Sequence, residues 1–347
     1  MKVILASTIT PFVDGGSTLI VDSLAAEIRR QGHTVEVLCF PFDPTYSEVL
    51  DQMLAMRLID LTQHGDRLIA IRMPSHLIRH RKKILWFIHH YRSAYDLWGT
   101  SYQEIPATAE GLGYRAAIIQ ADNAAFAEAS RIFANSRVVA GRLKKFNGVE
   151  AEVLYPPLPD AERYRTGRLD DYVLYLSRLT HHKRQWLALE AMRFTRTGVR
   201  LVIAGAVDPG AEGYVEDLNR RVRDYGLADR VTVTARWVSA AEKIDLFADC
   251  LAAAYFPLDE DSYGYPTLEA HHAGKAVLTT SDAGGTGELV IDGVNGFLTA
   301  PDPEAIAAAM DRLYSERERT ARMGAAGGER IRRLGITWEN AMSRLLA

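Results

Sequence analysis

Two basic residues in the second half of the chain have a spacing that suits a bound diphosphate. Arg178 and Lys183 are five positions apart, just after an apolar run. An arginine offers phosphate oxygens a forked pair of hydrogen bonds and a lysine offers a point charge, so the two can clamp a diphosphate. A solvated basic loop would have the same composition. The pair therefore needs support from a second segment.

The segment at 259–269 supplies that support. Asp261 and Glu269 are separated by seven residues, and carboxylates accept hydrogen bonds from sugar and ribose hydroxyls. Gly264 lies between them and allows the loop to bend, while Pro266 suits the first turn of a helix. Amides at a helix start receive phosphate oxygens. Together with the basic pair, one site could hold a nucleotide sugar from end to end.

The first half of the chain offers a glycine loop and a histidine. The loop at 11–16 ends in Gly15 and Gly16, which allow a backbone to approach a ligand, although a tight turn has the same pattern. The three-glycine dinucleotide fingerprint is absent from this loop, which argues against a nicotinamide enzyme. His89 directly follows an apolar run, at the end of a predicted strand where a cleft is expected. His90 is the alternative.

Alternating strands and helices must position these side chains. Ser17 can cap a helix that Gly32 would end, and a strand on either side of it completes a βαβ unit of a parallel sheet. In the first half the predicted strands are at residues 2–7, 33–38, 67–71, 84–88, 116–119, 132–134 and 152–154. In the second half strands at 172–176, 200–204, 231–234, 251–256 and 276–279 alternate with helices at 184–192, 215–225, 240–248 and 266–273, before a helical region that starts at Pro303.

The paired prolines Pro156 and Pro157 interrupt this pattern and predict a hinge. We therefore expect an α/β protein with two Rossmann-like, doubly wound parallel-sheet lobes that face each other across a cleft. The predicted domains are residues 1–157 and residues 158–336, with a C-terminal helix at about 337–347 that packs back on the first. Ligands of such sheets bind beyond the carboxyl ends of the strands.

Composition excludes several other classes of protein. Of 347 residues, 41 are Lys or Arg and 44 are Asp or Glu, so bulk charge does not favour a nucleic-acid binder. Cys39 and Cys250 match no metal-ligand spacing. The N-terminal apolar run is too short for a signal peptide, and no run approaches the length of a membrane span. These features favour the cytoplasm, with peripheral contact at the inner face of the membrane as an open alternative.

In order along the chain, these segments resemble the retaining glycosyltransferases of the GT-B fold, in the large family numbered four. The hallmark of that family is an acidic residue, seven intervening residues and a glutamate. The resemblance covers nearly the whole chain. Its motifs are the Gly15-Gly16 loop, Gly32-His33 before Val35, Asn135-Ser136, Tyr155-Pro-Pro, Arg178 with Lys183, Ile203-Ala-Gly205, Asp261 to Glu269, Gly284-Gly285 with Glu288, and Asp292 to Phe297.

The resemblance implies roles for these residues. Arg178 and Lys183 would bind the donor diphosphate, and Glu269 the ribose. Further donor contacts would come from Tyr263, Gly264, Tyr265, Pro266 and Thr267, while Asp261 and His89 orient the sugar and Gly15 and Gly16 line the reaction centre. The family usually has Glu where this chain has Asp261. We prefer Asp261 because it keeps the register with Gly264 and Glu269, and Glu260 is the alternative.

The resemblance also implies that residues 1–157 form the acceptor side and residues 158–336 the nucleotide-sugar side. It further implies the reaction and its partners. A metal-independent enzyme without a cofactor would transfer a hexose from a UDP-, GDP- or dTDP-sugar to a glycan, lipid-linked or small-molecule acceptor, in cell-surface polysaccharide or glycolipid biosynthesis. A sugar-nucleotide epimerase or a glycoside phosphorylase of the same fold is the first alternative, and a non-catalytic nucleotide-sugar-binding subunit is the second. The basic stretch at 72–92 could contact an anionic membrane, or form a solvated face.

Overall fold

The computed structural model describes residues 1–11 and 15–347, which form two compact units. The first unit comprises residues 1–157 and 336–347, and the second comprises residues 158–335. The division follows the Pro156-Pro157 pair.

A six-stranded parallel sheet forms the centre of the first unit. Its strands are β1 (Lys2–Ile9), β2 (Thr34–Pro41), β3 (Arg67–Ala70), β4 (Lys83–Phe87), β5 (Arg131–Ala134) and β6 (Glu152–Val153), in the spatial order β2-β1-β3-β4-β5-β6. The helices between them are α1 (Gly16–Arg30), α2 (Tyr46–Leu58), α3 (Ala109–Ala127) and α4 (Arg137–Asn147). The residues Ile84 to Phe87 are all buried, as a strand covered by helices on both faces requires.

The second unit has its own six-stranded parallel sheet. Its strands are β7 (Tyr172–Leu176), β8 (Arg200–Gly205), β9 (Val231–Ala235), β10 (Ala252–Ala254), β11 (Ala276–Thr280) and β12 (Gly296–Thr299), in the order β12-β11-β10-β7-β8-β9. The helices are α5 (Gln185–Ala191), α6 (Glu212–Asp224), α7 (Ala240–Asp249), α8 (Tyr265–His272), α9 (Thr286–Leu289), α10 (Pro303–Ser315) and α11 (Arg317–Leu334). This is the classic doubly wound strand order, and it reverses between β7 and β10.

The last helix, α12 (Trp338–Leu345), belongs to the first unit. The Trp338 ring meets the buried Trp86 ring edge-on, with centroids 6.3 Å apart. The Arg67 guanidinium donates to the carbonyl oxygen of Leu345 at 2.6 Å, and Arg344 pairs with Glu152. These contacts hold the C-terminal helix against the strands of the first sheet.

Three predictions about elements were wrong or incomplete. The strand expected at 116–119 lies inside α3, because a run of Ala and Ile also fits a helix that Thr108 caps at Gly111 N. Ser17 does not cap α1, since Gly15 occupies the N-cap position. Helix α2 and strand β12 were not foreseen. No helix among the described residues is both long and apolar enough to cross a membrane.

Candidate functional site

The candidate site lies at the carboxyl edge of the second sheet, where the strand order reverses. Strands β7 and β10 are direct neighbours, with Val173 in register with Ala252. The loop that carries Arg178 follows β7, and the loop at 255–264 follows β10. Open α/β sheets bind ligands at such a reversal point because the loops on either side diverge there. The topology therefore brings the two predicted donor-binding segments together.

Lys183 is buried and has two polar neighbours from the other loop. Its Nζ donates to the Tyr255 hydroxyl at 2.9 Å and forms an ion pair with the Glu260 carboxylate. Burial alone would raise the pKa of Glu260. The positive charge of Lys183, together with the hydrogen bonds that Lys183 and Tyr255 donate to the Glu260 carboxylate, nevertheless holds that pKa below its ordinary value. The carboxylate that contacts Lys183 is thus Glu260, whereas the assignment of Asp261 to the donor sugar stays a prediction.

Arg178 is more accessible than Lys183 and is paired with Asp208. Its Nη1 donates to Asp208 Oδ1 at 2.6 Å, and Asp208 lies in the loop after β8. A close approach at Gly205 supports this arrangement, because a Cβ there would overlap the carbonyl oxygen of Ser177, and φ is 152°. The close packing of the loop after β7 against the end of β8 therefore depends on a glycine at position 205.

Glu269 is buried in α8 between two donors that the sequence did not indicate. Its Oε1 accepts hydrogen bonds from Lys243 Nζ at 2.5 Å and from the Tyr164 hydroxyl at 3.1 Å. Burial and the Glu269 charge raise the pKa of Tyr164, so its hydroxyl remains protonated. Glu269 is the fifth residue of α8, just beyond its first turn. Both donors use the same oxygen, Oε1.

The turn into α8 is built around Gly264. Its φ of 72° lies in the left-handed region, and a Cβ there would overlap Cε1 of Tyr255. The Thr267 hydroxyl donates to the carbonyl oxygens of Tyr263 and Gly264, each at 2.7 Å. Pro266 lies in the first turn of α8, as predicted. The glycine thus brings the turn against the tyrosine that contacts Lys183.

Tyr265 begins α8 and points its hydroxyl into the protein. That hydroxyl is inaccessible to solvent and has no hydrogen-bond partner within the described ranges. Burial and the nearby Glu269 carboxylate raise the pKa of Tyr265. A buried hydroxyl without a partner is uncommon, so Tyr265 is available to donate a hydrogen bond beside Glu269 if the loop moves.

A second glycine pair and an unpredicted arginine brace the loop at 259–262. Gly285 N donates to the carbonyl oxygen of Glu260 at 2.9 Å, and a Cβ at Gly285 would lie 2.6 Å from the carbonyl carbon of Ser262. The buried Arg184 donates to the carbonyl oxygen of Phe256 and forms a forked pair with Asp282, both bonds being 2.7 Å. These contacts fix the backbone around Glu260.

The first unit places Gly15, Gly16 and His89 at the carboxyl edge of its own sheet. Gly15 and Gly16 form the start of α1, which follows β1, and the rest of the predicted loop, residues 12–14, lies outside the described residues. His89 follows β4, and its Nδ1 is 2.8 Å from the carbonyl oxygen of His90, to which it can donate. Burial and the Arg72 charge lower the pKa of His89 to about 4, so its imidazole is neutral at pH 7.

His90 occupies a different environment. It is buried, with its Nε2 2.9 Å from Asn147 Oδ1 and its ring 4.3 Å from the Tyr95 ring centroid. Burial lowers its pKa to about 4 as well. These contacts are those of a core histidine, which favours His89 over His90 for a role at the edge of the sheet.

The basic stretch at 72–92 does not form one charged face. Lys83 is buried, with its Nζ 2.9 Å from the carbonyl oxygen of His76 and 3.1 Å from Glu128 Oε2. Arg79 pairs with Asp60 at 3.0 Å. Arg81 and Lys82 are exposed. Part of the charge of this stretch is thus taken up by buried or paired side chains, and contact of the stretch with a membrane stays a prediction.

Comparison with known proteins identifies the family. A family model described as "Glycosyl transferases group 1" matches residues 163–330, which include every candidate residue of the second unit. Residues 163–330 thus belong to the group 1 glycosyl transferases. Human ALG2, an alpha-1,3/1,6-mannosyltransferase, is 30% identical over 281 residues, which are 74% of this chain and 65% of that protein.

A second relative comes from Mycolicibacterium smegmatis. This GDP-mannose-dependent alpha-(1-6)-phosphatidylinositol monomannoside mannosyltransferase is 33% identical over 185 residues, which are 50% of this chain and 47% of that protein. The matches thus span about half to two thirds of the length of these relatives.

Solved structures of low sequence identity share the fold of the whole chain. HepE from Anabaena, solved in complex with UDP and glucose, has a TM-score of 0.71 at 20% identity and covers 99% of this chain and 100% of its own. Sucrose-phosphate synthase from Thermosynechococcus elongatus has a TM-score of 0.78 at 16% identity, and the match covers 99% of this chain and 98% of that protein. The predicted GT-B fold is confirmed.

Several residues of this candidate site escaped sequence reasoning. Four side chains contact predicted site residues from elsewhere in the chain, at separations of 5 to 105 positions. They are Lys243 and Tyr164, which contact Glu269, Asp208, which contacts Arg178, and Tyr255, which contacts Glu260. Arg184 is adjacent to Lys183 and could have been noticed as a third cation of the first loop. Within residues 1–11 and 15–347, no group of three or more His, Cys, Asp or Glu side chains could hold a metal ion.

Buried neutral histidines should make this protein less stable in mild acid. Burial lowers the pKa of His90 and His271 to about 4, below their ordinary value of 6.5. Between pH 6.5 and 4 the unfolded chain therefore binds more protons than the folded chain, and stability falls as pH falls. We expect a loss of about 2 kcal/mol per histidine between pH 7 and 5. Urea unfolding measured at both pH values tests this, and equal free energies of unfolding would contradict it.

Proposed function

We propose that this protein is a retaining, metal-independent glycosyltransferase that moves a hexose from a nucleotide sugar to an acceptor hydroxyl. The observation that carries the proposal is the convergence of Lys183, Arg178 and the α8 turn at the reversal point of the second sheet. Two cations beside a helix start suit a diphosphate, and the buried Glu269 suits a ribose hydroxyl. Membership of the group 1 glycosyl transferases supports the same reaction.

Charge separation is the main physical demand of this reaction. When the bond between the anomeric carbon and the diphosphate oxygen breaks, the bonding electrons leave with the diphosphate and the sugar becomes cation-like. Arg178 and Lys183 would stabilise the leaving diphosphate, and preorganised charges commonly contribute a large share of such catalysis. The acceptor oxygen attacks the face that the diphosphate vacates, and a diphosphate oxygen takes the proton. No protein nucleophile takes part.

The other predicted residues would orient the donor. Asp261 would hold hydroxyls of the transferred sugar, and Tyr263 to Thr267 would contribute the turn that faces it. From the first unit, neutral His89 would hydrogen-bond the sugar, and Gly15 and Gly16 would allow close approach. With its Nδ1 proton directed to the His90 carbonyl, His89 would present Nε2 as an acceptor for a sugar hydroxyl.

We propose GDP-mannose as the first donor to test, because two relatives are named mannosyltransferases and one of them as GDP-mannose-dependent. UDP-hexoses come next, because HepE of similar fold binds UDP and glucose. A glycan or lipid-linked acceptor fits the name of the M. smegmatis relative. Arg81 and Lys82 would then provide any electrostatic contact with an anionic membrane, at the cytoplasmic face where sugar nucleotides are used.

Incubation with radiolabelled nucleotide sugars and a panel of acceptors tests the proposal. We expect acceptor-dependent release of the nucleoside diphosphate, at the same rate in EDTA, and a product whose anomeric configuration by NMR equals that of the donor. An epimerase would convert the donor sugar without an acceptor. Inversion at the anomeric carbon, or loss of activity in EDTA, would refute the corresponding part of the proposal. Tight binding without turnover would favour a non-catalytic subunit.

A further inference from the structure

Lys183 has two side-chain neighbours with opposite effects on its affinity for an anion, a neutral tyrosine and a carboxylate. Its Nζ donates to the Tyr255 hydroxyl at 2.9 Å and contacts the Glu260 carboxylate. The Tyr255 hydroxyl donates in turn to Glu260 Oε2 at 3.0 Å, so the three side chains form a closed ring of contacts. The ammonium also lies 5.4 Å from the centroid of the Tyr255 ring, a cation–π distance.

Tyr255 can hold the ammonium without opposing an anion. Burial and the nearby Glu260 carboxylate raise the pKa of Tyr255 far above its ordinary value, so the hydroxyl is neutral and both donates and accepts. Its ring is fixed in turn, because it packs against Gly264 at the turn into α8. Tyr255 therefore links the position of Lys183 to the turn that precedes α8.

Glu260 has the opposite effect. Its carboxylate neutralises Lys183, and the Glu260 side chain keeps 24% of its surface exposed, so it can respond to a ligand. A diphosphate near Lys183 would bring like charges close together in a partly buried site, where such repulsion is strong. The two anions cannot both make their best contact with a single ammonium.

We propose that Tyr255 positions Lys183 for the donor diphosphate and that Glu260 competes with the diphosphate for Lys183. This inference rests on the proposed function, since it takes Lys183 as a diphosphate-binding residue. Glu260 would thereby weaken binding of both the donor and the released nucleoside diphosphate, which favours product release. The family resemblance assigns neither role.

Calorimetric titration of the full chain with UDP, GDP, dTDP and ADP tests the inference. With the diphosphate that binds best, Glu260→Gln should lower Kd about tenfold, because one opposing charge is lost while the amide still accepts a hydrogen bond from Lys183. Glu242→Gln removes the same charge from an exposed pair with Arg236 and should leave Kd unchanged. Tyr255→Phe should raise Kd and the KM for the donor at least about threefold, with a smaller change in kcat.

The outcomes separate this inference from the proposed function. An equal or higher Kd for Glu260→Gln would overturn the competition, and an unchanged KM for Tyr255→Phe would overturn the positioning role. Lys183→Ala tests the proposed function by itself, because this variant should weaken diphosphate binding whether or not Glu260 competes with the diphosphate. If Lys183→Ala binds as the wild type does, or if none of the four diphosphates binds, the proposed function itself is wrong.

Discussion

Replacement of Lys183 with alanine should lower the rate of sugar transfer by at least about a hundredfold, the usual effect of removing one preorganised charge from a developing anion. Lys183 is buried beside Tyr255 at the reversal point of the sheet, so water cannot easily supply the missing charge. Initial rates of nucleoside diphosphate release, measured with saturating donor, give the effect on kcat directly.

Two further variants show whether this loss is specific. Arg178→Ala removes a more accessible cation and should cause a loss of similar size without disturbing the core. Lys144→Ala removes an exposed lysine of the first unit that has no assigned role and should leave the rate unchanged. Circular dichroism and thermal unfolding confirm that each variant is folded. Wild-type turnover in both Lys183→Ala and Arg178→Ala would contradict the assignment of the diphosphate site.

Replacement of Gly264 with alanine should destabilise the second unit by about 2–5 kcal/mol. A left-handed φ costs an alanine about 1–2 kcal/mol, and forcing a methyl group into a packed site costs about 1–3 kcal/mol more. At Gly264 the φ is 72°, and the new Cβ would overlap the Tyr255 ring. Because Tyr255 contacts Lys183, we also expect donor affinity to fall. Urea denaturation gives the change in the free energy of unfolding.

Gly293 provides a matched control for this substitution. Its φ is 70°, but a Cβ there would meet no atom within 4 Å. Gly293→Ala should therefore show the backbone cost alone, and the difference between the two variants measures the overlap with Tyr255. Equal losses of stability in Gly264→Ala and Gly293→Ala would show that the ring moves aside freely, and the link between this turn and Lys183 would be wrong.

Local sequence patterns were sufficient to predict the strands around the site. The apolar run at 172–176 coincides with β7, and the proline at 266 falls in the first turn of α8. Such elements are specified by neighbours within a few residues, through hydrophobic periodicity and helix-start chemistry. The order of elements then fixed which loops meet, because the carboxyl ends of parallel strands share one edge.

Contacts between side chains that are distant in the sequence could not be predicted from local patterns. Lys243 meets Glu269 only because α7 and α8 pack beside each other, and Asp208 meets Arg178 only through the pairing of β7 with β8. The expected strand at 116–119 failed for a related reason. A short apolar run fits either a buried strand or part of a helix. Here the run belongs to a helix of 19 residues, Ala109–Ala127, which is too long for a typical strand.

A crystal structure of the protein with bound GDP or UDP tests the central claim most directly. We expect the phosphate oxygens within hydrogen-bond distance of Arg178 Nη1 and Lys183 Nζ, at the turn that leads into α8, and a ribose hydroxyl on Glu269. Phosphates bound elsewhere, with the Lys183–Glu260 and Lys243–Glu269 pairs unchanged and no contact to either basic residue, would contradict it.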